Sequence, residues 1–360
     1  MSARLRVVLD QLAEPAATEL GEASRQLTAA LIERAPSGCV VEGIAPRSAN
    51  LQGLDLAKDQ RYGKAHRDLV AAWARGRTLA AEGGLIHSPT LAAPLVKKNP
   101  ALGVSQTVVT VWDLTAWQSP RALPRQQAAQ QQALLARAEK YADAVVVPTH
   151  AAAQVLEERG EIGGRVRVIA GAAPAGFDVP SDEQARRRDA GVPAEYVTAA
   201  GTAAPIDALA DAFAAAHAAL IDIVVLDVPD GDAQAVRALA ADAGLAPERL
   251  HLHGRLDRGD RAAILAQSRA HLAASNRTAW PWRAVEAMTV GTPVIALDTP
   301  VHREVVFEGG DLVQAAELGD ALRTAIVAGS SRLGLLAHDR SRAFSWAGAA
   351  ERTWALHAEL

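Results

Sequence analysis

The sequence has one cysteine in 360 residues, Cys39, which excludes an intramolecular disulfide and a cysteine-based zinc site. It has no run of about 18 apolar residues, the length that a membrane-spanning helix needs. Its amino terminus also lacks the apolar segment of a secretory signal peptide. These absences predict a protein of the cytoplasm, in which Cys39 is an ordinary small buried side chain.

The chain has no excess of positive charge, since 37 basic residues stand against 41 acidic ones and the net charge is −4. No part of it has the concentrated basic composition of a nucleic-acid-binding protein, so we expect no nucleic-acid partner. A hydrophobic content of 49% with 22% charged residues excludes a disordered chain. The length is typical of two domains of roughly 150–200 residues.

Short β-branched runs alternate with longer Ala- and Leu-rich stretches, a pattern typical of parallel α/β proteins. The interval 170–193 is rich in Pro, Gly and Arg and separates two such series, so we interpret it as the connection between two domains. The predicted strands are 6–9, 40–45, 84–87, 108–111, 144–147 and 165–169 in the first series, and 196–199, 221–226, 250–253, 271–274 and 293–297 in the second.

The first strand of the second series ends in Gly201-Thr202 and leads into a helical stretch. Backbone N–H groups at such a turn, together with the helix dipole, can hold an anion. Glycine serves ordinary tight turns equally well, so the turn alone leaves both interpretations open.

A more specific pattern runs from Glu286 to Ala296, E-A-M-T-V-G-T-P-V-I-A, directly after a strand and a loop. It resembles the donor-site signature of the group 1 (family 4) retaining glycosyltransferases. Residues 300–306, P-V-H-R-E-V-V, and 344–346, F-S-W, are similar to later segments of that family. Residues 87–89, 111–114 and 142–149 are similar to its N-terminal domain, so the resemblance covers nearly the whole chain.

This resemblance implies an α/β protein with two Rossmann-like domains facing each other across a cleft, the glycosyltransferase B-type fold. It predicts an N-terminal acceptor-side domain at 1–172 and a C-terminal nucleotide-sugar-side domain at 173–342. A final helix at 343–360 would return to the N-terminal domain.

The function implied by the family is transfer of a sugar from a nucleotide-sugar donor to a carbohydrate or lipid-linked acceptor, in the synthesis of cell-wall or surface polysaccharide. Relatives generally need no metal and no further cofactor. Carried over by position, the donor-binding residues are Gly201, Thr202, Arg255, Arg283 and Glu286, with the Glu286 carboxylate on the ribose hydroxyls. No residue is assigned a catalytic role.

Three positions depart from the family pattern. Ile206 and Asp207 stand where relatives have Arg and Lys to neutralise the donor diphosphate, and Thr278 replaces the first of two donor glutamates. Loss of one preorganised donor to a developing anion typically costs about 3–4 kcal/mol of transition-state stabilisation. We therefore expect transfer to be at least about 10³-fold weakened unless Arg255, Arg277 or Arg283 compensates.

Two hypotheses follow. The chain is either a sugar transferase or a catalytically inactive homologue that acts as the partner or scaffold of another glycosyltransferase or as a homo-oligomer. Under both hypotheses, the protein would lie in the cytoplasm or peripherally at the inner face of the membrane.

Two features of the site leave alternatives open. Arg283 would reach a phosphate or be a solvated surface arginine, and the Trp280-Pro281-Trp282 loop would stack on a sugar or fill the vacated pocket.

Overall fold

The computed structural model describes residues 3–13, 18–77, 84–97, 105–158, 162–201, 206–329 and 331–360, without the side chains of Asp207 and Ser331. The chain divides into two compact units. Unit 1 consists of Met1–Gly171 and Ser345–Leu360, and unit 2 of Ala172–Phe344. Among the described residues, no helix combines the length and the apolar character needed to cross a bilayer.

Unit 1 is built on a parallel sheet of seven strands, in the order β3-β2-β1-β4-β5-β6-β7. Its strands are β1 (Ala3–Val8), β2 (Cys39–Pro46), β3 (Lys58–Tyr62), β4 (Gly84–Ser88), β5 (Ser105–Thr110), β6 (Ala144–Val147) and β7 (Val166–Val168). Its helices are α1 (Glu19–Glu33), α2 (His66–Ala74), α3 (Thr115–Gln118), α4 (Arg125–Tyr141), α5 (His150–Glu157) and, at the end of the chain, α14 (Trp346–Glu359).

The last helix, α14, returns to unit 1 and packs on α1. The indole Nε1 of Trp354 donates a hydrogen bond to the Leu31 carbonyl oxygen at 3.1 Å, which joins the two helices at a buried point. Ser345 caps the helix by accepting a hydrogen bond from the Gly348 N–H.

Unit 2 contains a parallel six-stranded sheet in the order β10-β9-β8-β11-β12-β13. Its strands are β8 (Tyr196–Ala200), β9 (Asp222–Leu226), β10 (Leu250–Leu252), β11 (His271–Ala273), β12 (Val294–Leu297) and β13 (Asp311–Val313). Its helices are α6 (Glu183–Asp189), α7 (Ala210–Ala219), α8 (Ala233–Asp242), α9 (Arg258–Gln267), α10 (Trp282–Thr289), α11 (Pro300–Val305), α12 (Leu318–Ala328) and α13 (Ser331–Ser341).

The central strands of unit 2 are buried on both faces, which explains their nearly continuous apolar runs. Because the strands are parallel, their carboxyl ends meet at one edge of the sheet, where ligands of open α/β sheets usually bind. The ends of β8, β9 and β11 are neighbours there, since Ala200 pairs with Leu226 and Thr198 with His271.

The predicted alternation of strands and helices is confirmed, with two strands missed. Both lie at sheet edges: β3 is polar and mostly exposed, and β13 has three residues. Helix α1 begins at Glu19, because the Thr18 hydroxyl caps it by accepting a hydrogen bond from the Gly21 N–H.

Candidate functional site

The candidate site lies at the carboxyl edge of the unit 2 sheet, beginning with Gly201 directly after β8. A Cβ atom at Gly201 would lie 3.4 Å from the Leu226 carbonyl oxygen and 3.4 Å from the Val228 Cα atom. The glycine is therefore explained by close approach of the chain that follows β9. Thr202 lies outside the described residues, and its predicted role in donor binding stays a prediction, as does that of Gly201.

The segment that would hold a diphosphate continues with Ile206, the first residue of a 3-10 turn, Ile206–Leu209. The Ile206 side chain is half-buried and packs against the hydrophobic core of unit 2. Ile206 therefore serves the core, and as an apolar side chain it supplies no positive charge to a phosphate. Asp207 is the next residue of the turn, and its side chain lies outside the described residues.

Glu286, on α10, is buried with 3% of its surface exposed, and both of its carboxylate oxygens are engaged. Arg261 of α9 donates from Nη2 to Oε1 at 2.9 Å and from Nε to Oε2 at 3.2 Å. This two-point geometry is the strong form of an arginine–carboxylate pair. The Nη1 group of Arg261 also donates to the Leu256 carbonyl oxygen, which holds the guanidinium in place.

Arg283 is the second arginine on Glu286, with Nη1 at 3.1 Å from Oε1. Its Nε donates to Oδ2 of Asp227 at 2.5 Å. Arg283 is 7% exposed, so the expectation of a solvated surface arginine is wrong: the side chain turns inward toward two buried carboxylates. Asp227, Arg283, Glu286 and Arg261 form a buried ionic cluster with no net charge, which we call the ionic cluster.

Asp227 follows β9 and has a backbone φ of 58°, in the left-handed region. Aspartate tolerates this region better than most residues, at a cost of order 1–3 kcal/mol. Its Oδ1 atom is buried and has no hydrogen-bond partner among the described residues, while Oδ2 binds Arg283. The strained backbone therefore places a buried carboxylate against the Arg283 guanidinium.

A pocket of about 50 Å³ lies beside the ionic cluster, and its walls include Gly201, Ser275, Thr278, Trp282 and Arg283. Pockets that hold ligands of drug size usually enclose roughly 300–1,000 Å³. Enclosed by the residues that are described, this pocket is therefore too small for a nucleotide sugar.

Two buried histidines, His271 and His302, also line the pocket. Burial, reinforced by the Arg283 charge, lowers the pKa of His271 to about 3, and its Nδ1 lies 3.1 Å from the Thr198 hydroxyl. Burial also lowers the pKa of His302, whose Nδ1 donates to the Leu297 carbonyl oxygen at 2.8 Å. Both rings are therefore neutral near pH 7 and add no positive charge to the site.

The loop before α10 fills space that a ligand would need. Thr278 is buried, and its hydroxyl donates to the Trp280 carbonyl oxygen at 2.9 Å. Trp280 is 1% exposed and meets the Phe344 ring edge-on, with ring centroids 5.1 Å apart. Trp282 is half-buried and lies 6.3 Å from Trp280 between ring centroids. Of the two interpretations of this loop, the packing of Trp280 favours the filled pocket.

The Trp280→Phe variant is expected to lower the free energy of unfolding by about 1–2 kcal/mol. The smaller ring leaves a cavity, but the substitution also removes an indole N–H that is buried without a partner among the described residues. Chemical denaturation followed by circular dichroism measures the change, with Trp282→Phe at the half-buried neighbour as the control. A larger loss in the control would contradict the packing role assigned to Trp280.

The other two predicted cations lie outside the ionic cluster. Arg255, between β10 and α9, is exposed and forms no ion pair with another described residue. Arg277 is half-buried, and its N–H donates to the Ser275 hydroxyl. In the part of the chain that is described, no group of three or more His, Cys, Asp or Glu side chains could hold a metal ion.

Sequence reasoning missed Asp227 and Arg261 as site residues, although a signal exists for each. Asp227 is an acidic residue directly after a fully buried strand, where parallel sheets place functional side chains. Arg261 lies three residues before Ile264 on an otherwise apolar helix face, so its charge predicts a buried partner.

Part of the chain matches the model of a known protein family. Residues 194–328, little more than a third of the sequence, match the family model described as glycosyl transferases group 1. A comparison with curated proteins gave no match.

The whole chain is similar to solved structures at low sequence identity. Sucrose-phosphate synthase from Thermosynechococcus elongatus has a TM-score of 0.72 at 20% identity, over 99% of this chain and 98% of that one. Anabaena HepE in complex with UDP and glucose has a TM-score of 0.71 at 16% identity, over 99% of this chain and 100% of that one. A structure described as "Trehalose-6-phosphate from E. coli bound with UDP-2-fluoro glucose" has a TM-score of 0.65 at 13% identity, over 99% of both chains. These similarities confirm the predicted glycosyltransferase B-type fold with two Rossmann-like domains.

Proposed function

We propose that the chain is a group 1 glycosyltransferase relative that no longer transfers sugar from a nucleotide donor. It acts instead by binding, as the partner or scaffold subunit of an active glycosyltransferase. The observation that carries this proposal is the state of Glu286, whose two carboxylate oxygens are held by the buried guanidinium groups of Arg261 and Arg283.

A carboxylate binds the two hydroxyls of a ribose by accepting a hydrogen bond from each. To do so here, Glu286 would have to give up the two-point pair with Arg261 or the contact with Arg283. Either change would leave a buried guanidinium without its partner, and breaking such a pair costs about 3–5 kcal/mol. A weakly held nucleotide does not supply that energy.

The same cluster removes the positive charge that a diphosphate needs. Arg283 is close to the pocket, but Asp227 and Glu286 neutralise it. Ile206 packs into the core, and Asp207 adds a negative charge next to it in the chain. Sugar transfer requires stabilisation of the leaving diphosphate, and these residues supply none of it.

The second candidate is an active transferase that uses a nucleotide-sugar donor and a carbohydrate or lipid-linked acceptor. It is favoured by the family match over residues 194–328 and by the solved structures of similar fold that contain UDP or UDP-glucose. Arg255, an exposed cation that follows β10, would then serve the phosphates.

Titration calorimetry with UDP, GDP, ADP and UDP-glucose tests the proposal on the purified chain. We expect no binding heat for any of them up to millimolar nucleotide, and no release of UDP from UDP-glucose with or without added sugars. Release of UDP that depends on the protein would overturn the proposal in favour of the second candidate.

The Asp207→Lys variant is expected to give a measurable binding heat with UDP where the native chain gives none, because loss of one repulsive charge tightens binding by at least about tenfold. One repulsive pair at about 6 Å is worth roughly 3 kcal/mol at an effective dielectric constant of about 20, before screening by salt. Glu308→Lys is the control, because it makes the same change of charge at an exposed residue at the amino end of β13, the opposite edge of the sheet. Equal gains in the two variants would show that only the overall charge matters.

A further inference from the structure

One surface of unit 1 carries more basic than acidic residues, in contrast to the net charge of −4 of the whole chain. Its residues lie in two segments, 60–77 and 115–138, which together contain eight basic residues and one acidic residue, Asp68. Two of the eight are engaged elsewhere, since Arg61 pairs with Asp59 and Arg137 donates to the Leu95 carbonyl oxygen. The segments lie side by side because α2 packs on α4. The two sequence segments thus concentrate positive charge on a single surface.

A groove of about 380 Å³ runs between α2 and the first turns of α4, and we call it the α2–α4 groove. This volume lies within the range of sites that hold small organic ligands. Its polar walls are the side chains of Arg67, Asp68, Arg75, Gln126, Gln127 and Gln130.

The two arginines of the groove are free to bind a ligand. Arg67 lies in the first turn of α2 and Arg75 directly after its last residue, about two turns further along. Both are exposed without an ion pair to any other described residue. Arg61 nearby differs, since Asp59 neutralises it. The opposite face of α2 buries Trp73, so the helix is fixed on the sheet and holds the spacing of the arginines. Paired guanidinium groups bind carboxylate, phosphate and sulfate with two parallel hydrogen bonds each.

The other wall of the groove carries amides. Gln126, Gln127 and Gln130 each offer one acceptor oxygen and two donor N–H groups, which suits ligands rich in hydroxyl groups. The exposed large hydrophobic side chains of the described residues all lie outside the two basic segments: Val179, Leu220, Phe307, Val327, Leu335, Leu336 and Leu360. Binding to a membrane surface would need exposed hydrophobic side chains that insert into the bilayer. A groove with amides and arginines but without such side chains therefore favours a carbohydrate ligand over a bilayer.

We propose that the α2–α4 groove binds an anionic glycan, a sugar chain that carries carboxylate, sulfate or phosphate groups. Arg67 and Arg75 hold two of its charged groups, and the three glutamines hold the hydroxyls between them. Asp68 contributes to the first turn of α2, where a negative charge is favourable. The proposal is independent of whether unit 2 transfers sugar, because every residue it uses belongs to unit 1.

Fluorescence anisotropy with labelled octagalacturonate, a chain of sugars with one carboxylate each, tests the groove in the intact protein. We expect binding that weakens with added salt, and no binding of neutral maltooctaose. Arg67→Gln with Arg75→Gln is expected to weaken binding by about tenfold or more, since two charge-assisted contacts are lost. Arg332→Gln with Arg352→Gln removes the same charge at exposed residues elsewhere and is expected to leave binding unchanged.

A second pair of variants separates a glycan site from a merely basic surface. Gln126→Ala with Gln130→Ala is expected to weaken octagalacturonate several-fold while leaving the binding of inorganic polyphosphate unchanged, because polyphosphate has no sugar hydroxyls. Loss of both ligands, or of neither, in this variant would overturn the glycan assignment. Stronger binding to phosphatidylglycerol vesicles than to octagalacturonate would overturn it in favour of a membrane surface, and equal binding to single-stranded DNA would reduce it to unspecific charge.

Discussion

Arg283→Met is expected to lower the free energy of unfolding of unit 2 by about 3–5 kcal/mol, the usual cost of removing one partner from a buried ion pair. The variant leaves Asp227 buried without a cation, while Glu286 keeps Arg261. Amide hydrogen exchange in β9 and α10 measures the loss locally, so unfolding of unit 1 does not obscure it.

Two further variants test whether the loss of stability in Arg283→Met comes from the unpaired charge of Asp227. Asp227→Asn combined with Arg283→Met is expected to recover much of the loss, because asparagine tolerates a positive φ and carries no charge. Arg303→Met is the control, since the pair of Arg303 with Asp298 is exposed and salt bridges at the surface stabilise little. Equal losses in Arg283→Met and Arg303→Met would show that the ionic cluster is no more important than a surface pair.

Unit 1 is expected to lose at least about 3 kcal/mol of stability between pH 6.5 and pH 4, because of two histidines that meet in its core. The rings of His87, at the end of β4, and His357, on α14, are buried with centroids 5.6 Å apart. Burial lowers the pKa of His357 from 6.5 to about 4 even though the charge of Asp143 raises it. Burial and the neighbouring His357 lower the pKa of His87 well below 6.5.

The sign follows from the neutral state of both rings. The unfolded chain takes up protons near pH 6.5 and the folded chain only near pH 4 or below, so acid favours unfolding in that interval. Urea denaturation at pH 7, 5.5 and 4, followed by the hydrogen exchange of α14, measures the effect. His87→Leu with His357→Leu is expected to flatten the dependence in unit 1, whereas His217→Gln, at an exposed residue, is not. A dependence that survives in the double variant would assign it to other groups.

The elements that were predicted correctly have strong local signals. The central strands, such as β9 with I-V-V-L and β12 with V-I-A-L, are apolar because both of their faces are buried, and burial of that kind is visible in composition. Edge strands have no such requirement. The polar β3, K-D-Q-R-Y, pairs on one side with β2, and that pairing depends on residues distant in the sequence.

Composition and hydrophobic patterning predicted the parallel α/β class and the two series of strands, and the family resemblance implied that Ile206, Asp207 and Thr278 stand where relatives have Arg, Lys and Glu. The surroundings of Glu286 depend on tertiary contacts. Arg261 and Asp227 lie 25 and 59 residues before Glu286 in the sequence (286 − 261 and 286 − 227), on different elements of the unit. Their pairing arises because parallel packing brings the ends of distant strands and helices to one edge, and a buried charge must find its partner there.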